Sequence, residues 1–216
     1  MKKKQFGILT SLCGLSGVLM LITSFIINPG PPPNPTLAQF IEFGKQYHNS
    51  IVIGAWLQAI SPPLIVLFAF AIVHLAGAAT KFSGWMTFLG GVILVIVSLI
   101  EITFYFSAVN GNPATSGFIS LDFISAVQHL YSIIAAPMLF FTLSFVILHS
   151  KVLPHVFGYT GLVLGLAFAI LGVGALFSPW QYIINYLSMI QGFWWLIASA
   201  TLLVNAGKIS LQDSKI

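Results

Sequence analysis

Glu101, His129, Gln58 and Gln191 each stand inside a long apolar run of the sequence. A carboxyl and an imidazole can form an ion pair, hold a proton between them or ligate a metal, and a carboxamide both donates and accepts hydrogen bonds. Gln128 precedes His129, and Tyr105 follows Glu101 by one helical turn. Each of these groups is costly to place in an apolar environment without a partner. Where such side chains sit, and on which face of their helix, is therefore the most informative feature of the chain.

The runs that carry them are long enough to cross a bilayer. The chain has 216 residues, 58% of them hydrophobic and only 6% charged. A soluble domain carries about 25% charge, so this composition excludes a water-covered globular enzyme. Its hydrophobicity equally excludes a disordered chain. The fold class is all-α: a polytopic bundle of six transmembrane helices in one domain, 1–216. The spans run over about 6–27, 51–78, 84–108, 122–149, 156–177 and 184–205, each near the ~20 residues a spanning helix needs. The first run also has the basic start of a signal peptide, but it is longer than a usual h-region and lacks a clear small-x-small cleavage site. It is read as a helix that stays in the membrane. Cys13 is the single cysteine, which excludes an internal disulfide.

The net charge of +4 comes from eight lysines without any arginine. Lys2, Lys3, Lys4, Lys81, Lys151, Lys208 and Lys215 fall on one side of a six-span chain and Lys45 on the other. Positive-inside logic makes the lysine-rich side cytoplasmic, with both termini there. Basicity is thus a topology signal, and no nucleic-acid partner is expected. On the outer side, Asn28–Pro35 is too rich in proline for helix. Thr36 and Gln39 have capping-box spacing and open a short amphipathic helix over Leu37–Tyr47. Trp180 and Tyr182 suit an interfacial aromatic belt. Gly161 and Gly165 form a small-xxx-small pair, expected to pack within the chain. Pro62, Pro63 and Pro137 should kink the second and fourth spans.

Depth and phase then assemble the polar residues. Gln58, Glu101, His129 and Gln191 each lie about seven residues, or ~10 Å at 1.5 Å per residue, from the outer end of their spans. Helical spacing places Gly54, Gln58 and Ser61 on one stripe, and Ser98, Glu101 and Tyr105 on another. Asp122, Ser125, His129 and Ser132 form a third. Asn185, Ser188, Gly192, Trp195 and Ser199 form a fourth, with Gln191 on its border. Polar stripes should face inward. The expected site is a pocket open to the outer side, with Glu101, His129, Gln58, Gln128, Gln191, Tyr105, Ser125, Ser132 and Trp195 as candidate ligand-binding residues. It would bind or pass a small molecule or lipid, or dock a partner subunit or a second copy. A membrane enzyme or redox protein using the same layer, and a purely structural accessory subunit, are the competing expectations. No zinc is expected, because Glu101, His129 and His48 lack a strong ligand spacing. Haem is not expected either. His48 with His129, and His74 with His149, could supply axial imidazoles, but their separations push the ligands to the membrane edges. No catalytic residue is assigned, since neither a glycine-rich nucleotide loop nor a nucleophile elbow is present.

Three places carry a resemblance: Asn28-Pro29-Gly30-Pro31-Pro32 after the first span, Gly90-Gly91 in the third, and Val152-Leu153-Pro154 leading to Gly158, Gly161 and Gly165. Through them the chain resembles a group of uncharacterised small bacterial integral membrane proteins containing a domain of unknown function. The resemblance implies a bacterial plasma-membrane location and supplies no site residue.

Overall fold

A computed structural model describes residues 3–30, 36–111, 118–178 and 181–212. Helix α1 covers Lys3–Ile27, α2 Leu37–Gln46, α3 His48–Leu75 and α4 Phe82–Asn110. Helix α5 covers Phe118–Leu130 and continues through a π-helical turn, Tyr131–Ala135, into α6, Ala136–Leu148. Helices α7 (His155–Gly174) and α8 (Gln181–Gln212) complete the chain. Six of these segments are long and apolar enough to cross a membrane: Lys4–Ile27, His48–Leu75, Phe82–Asn110, Asp122–Leu148, His155–Gly174 and Ile183–Ala206. The protein is therefore an all-helical, multi-pass membrane protein. In hydrocarbon a helix satisfies its own backbone, which is why each apolar run adopts this form.

Trp180, much of the proline segment, and Lys2 and Lys215 lie outside the described residues, as do the side chains of Tyr182 and Lys208. The end of the bundle holding Lys4, Lys81 and Lys151 is called the lysine end below, and the opposite one the proline-loop end. The capping box of α2 is formed. Thr36 Oγ1 accepts from the Gln39 backbone N–H, and the Gln39 side chain accepts from the Thr36 N–H at 2.9 Å.

The spans pack as a ring. Helix α1 lies between α3 and α8, α3 packs on α4, α4 on α5 and α6, α6 on α7, and α7 on α8. Rings of Phe68, Phe140, Phe168 and Trp195, all fully buried, fill its middle. Phe140 is the hub, with ring centroids 5.2 Å from Trp194, 5.3 Å from Trp195 and 6.4 Å from Phe168. Lipid gives helices little hydrophobic reason to associate, so such contacts and close backbone approach hold the ring.

The glycine face of α7 is spent on α6. A Cβ at Gly161 would strike Ser144 Oγ, and one at Gly165 would lie 3.3 Å from Phe140 Cβ. Helix α4 uses Gly90 in the same way against α6. Pro137 is the second residue after the π turn. The Ala136 N–H bonds to the Tyr131 carbonyl, five residues back, so the helix absorbs the proline by widening one turn. That turn adds a residue to the fourth span's register and separates the phase of α5 from that of α6.

A Cβ at Gly90 would sit 2.9 Å from the backbone nitrogen of Leu139 and 3.0 Å from its Cα. Backbone cannot step aside as a side chain can. Gly90→Ala is therefore expected to lower stability by about 1–3 kcal/mol, measured as a fall in the thermal midpoint in detergent.

Candidate functional site

Glu101 and Gln128 meet between α4 and α5. Gln128 Nε2 donates to Glu101 Oε1 at 2.9 Å. Gln58, buried on α3, lies near the same carboxyl. Tyr105 and Tyr131 lie within electrostatic range of it. Tyr131 then carries the layer across the ring, because its hydroxyl donates to Oε1 of the buried Gln191 on α8. Elements α4, α5, the π turn and α8 thus supply two hydrogen-bonded pairs, Glu101 with Gln128 and Tyr131 with Gln191, and α3 adds the buried Gln58, in the half of the bundle nearer the proline loop.

This arrangement differs from the sequence expectation in the fourth span. Asp122 and Ser125 are exposed, so the stripe through Asp122, Ser125, His129 and Ser132 does not face inward along its length. The inward face runs instead through Ser120, Ile124 and Val127, all buried, with Gln128 beside them. One residue turns the phase of a helix by about 100°, which exchanges His129 for Gln128 as the partner of Glu101. Among the described residues no hydrogen bond joins Glu101 to His129. The imidazole lies partly buried, with Nδ1 enclosed and without a hydrogen-bond partner. Ser132, on the π turn, is fully buried, and its hydroxyl donates to the His129 carbonyl at 3.0 Å.

The other stripes fall inward in part. Gly54, Gln58 and Ser61 are all buried. Ser98 is buried, while Glu101 and Tyr105 are partly so. On α8, Gln191, Gly192, Trp195 and Ser199 are buried but Asn185 is exposed. The Trp195 side chain is 1% exposed, and its indole N–H has no hydrogen-bond partner.

Tyr131 was not singled out by sequence reasoning. Its spacing of three from Gln128 puts both on one helical face, but the choice of phase on His129 hides that relation. A second connection, Trp194 Nε1 donating to Thr160 Oγ1 at 3.0 Å, ties α8 to α7. His48, His74 and His149 are exposed. No group of three or more His, Cys, Asp or Glu side chains gathers among the described residues as a metal site would require.

The carboxyl therefore rests among neutral partners. No lysine or arginine falls within any of the six spans from its second turn onward, so an ionised Glu101 has no cation beside it in the helices. Amides can stabilise either charge state of a carboxyl, by donating to its oxygens or accepting its proton.

No protein-family model, curated protein or solved structure matches the chain.

The Glu101–Gln128 bond can be weighed by a double-mutant cycle. Glu101→Leu, Gln128→Leu and the double variant are expected to show a coupling of about 0.6–1.7 kcal/mol, the range of interhelical hydrogen bonds in membranes. Ser125→Ala, on the exposed face, should change stability by no more than about 0.5 kcal/mol.

Proposed function

We propose that this membrane protein binds a small molecule or a lipid headgroup in a polar chamber centred on Glu101, between α3, α4, α5 and α8. The observation that carries the reading is a carboxyl within a span whose neighbours are amides and phenols, with no cation to neutralise it. A purely structural hydrogen bond between two helices needs two side chains. Here Gln58, Glu101, Gln128, Tyr131 and Gln191 gather five in one layer, from α3, α4, α5, the π turn and α8, and His129 adds an enclosed ring nitrogen. Groups of this kind are expensive in a bilayer, and their convergence is a mark of a ligand or ion site. We place the chamber toward the outer side of a bacterial plasma membrane. Among the described residues Lys3, Lys4, Lys81, Lys151 and Lys208 belong to the opposite end, which positive-inside logic assigns to the cytoplasm.

Native mass spectrometry of the protein extracted in mild detergent tests the chamber. A non-covalent adduct of discrete mass is expected on the wild type. It should be lost from Glu101→Leu and Gln191→Ala variants that retain wild-type helix content. An adduct that persists unchanged in both, or a bare wild-type protein, contradicts the reading.

Topology has its own test, in a Cys13→Ser background. An impermeant maleimide applied to spheroplasts should label Gly44→Cys on α2 and leave Thr80→Cys unlabelled until the membrane is opened. The reverse pattern would invert the orientation.

A further inference from the structure

Charge is divided between the two ends of the bundle. Lys4, Lys81 and Lys151 are exposed at the lysine end, together with His74, His149 and His155. Glu42, Glu101 and Asp122 stand on α2, α4 and α5 in the other half, and Asp213 lies outside the described residues. Among the described residues, no acid offsets the positive end.

Part of that charge is gathered over one helix. Helix α6 packs on α4 and α7 and also touches α3, so it is walled in on three sides. Met138, Phe141 and Phe145 escape full burial, as does His149 just beyond the helix end. They follow spacings of three and four and form one outward strip. No packed interface joins α4 to α7 across it. The strip is thus the floor of a furrow whose walls are α4 and α7.

Close backbone contacts fix what stands at the furrow's lysine end. Gly90 of α4 meets Leu139 of α6, and the two helices run antiparallel. Lys81 and His149 lie nine and ten residues from that contact in the same direction, so they reach one depth. On the other wall, a Cβ at Gly158 would lie 2.5 Å from Leu148 Cγ. That contact sets His155, one turn before Gly158, beside His149, and Lys151 lies in the connection between them. His149 Nδ1 is 2.8 Å from the Phe145 carbonyl. A carbonyl only accepts, so the ring donates there and Nε2 is left for an outside partner. Next to this basic rim, Phe145 on the floor and Tyr159 on the α7 wall are exposed. The spans end here, at the depth of the lipid headgroups.

We propose that the furrow over α6 binds an anionic phospholipid of the lysine-end leaflet, its phosphate between Lys81 and Lys151 and an acyl chain along Phe145. Cations above an apolar furrow complement both parts of such a lipid. The site lies in the opposite half from Glu101 and does not depend on the chamber there.

The test is native mass spectrometry of the full chain in detergent, titrated with dioleoyl phosphatidylglycerol or with phosphatidylcholine of the same chains. The wild type should bind phosphatidylglycerol about tenfold more tightly. Lys81→Gln and Lys151→Gln should each weaken phosphatidylglycerol about fivefold and leave phosphatidylcholine unchanged. Lys4→Gln, at the same end but on α1, and Lys45→Gln, at the other end, should change neither lipid. Glu101→Leu should also keep the preference, which separates this lipid from a ligand of the chamber. Inorganic phosphate should not displace it. Equal binding of the two lipids overturns the proposal. So does a loss in Lys4→Gln as large as in Lys81→Gln and Lys151→Gln, which would mark a diffuse attraction to the positive end. Loss of the preference in Glu101→Leu would assign the lipid to the chamber, and displacement by phosphate would assign the site to a free anion; either result overturns the furrow.

Discussion

A bilayer offers a buried polar side chain nothing to bond to, so each one must be answered from inside the protein. In this chain that requirement falls mainly on Glu101. Its carboxyl has to be met at a fixed depth by groups from other helices, and Gln128 meets it from α5 with Gln58 of α3 nearby. The ring of spans must therefore keep α3, α4 and α5 in register. The π turn beyond α5 helps to set which residues of the fourth span face inward. Tyr131, at the start of that turn, extends the layer to Gln191 and so draws α8 into the same system.

Aromatic rings fill the middle of the bundle, with Phe140 touching Trp194, Trp195 and Phe168, and close glycine contacts hold the helices on both sides of it. Toward the proline loop, the inward faces carry amides, a carboxyl and phenols. A polar layer can keep a shape that apolar side chains would close, because each hydrogen bond fixes a direction as well as a distance.

Much of the architecture was legible in the sequence because it follows from length and apolarity alone. The number of spans, the capping box at Thr36 and Gln39, and the internal use of Gly161 and Gly165 needed no tertiary knowledge. The inward placement of Gln58 and Gln191 followed from depth and helical spacing. The fourth span was harder. Four polar residues at three-and-four spacing suggested one stripe through His129, but two of them, Asp122 and Ser125, lie near the helix end, where polar groups can remain exposed. The true face is marked by apolar Ile124 and Val127, which carry no contrast in an apolar helix. The π turn at Tyr131–Ala135 was hidden too, since Pro137 signals a disturbed helix without saying whether it kinks or widens.

An experimental density map of the protein in a lipid nanodisc, resolved well enough to show side chains, tests the central claim most directly. The account predicts non-protein density between Glu101 and Gln191, in contact with Gln58 or Trp195. Side chains that close directly on one another across that layer, leaving no room for a bound molecule, would contradict it.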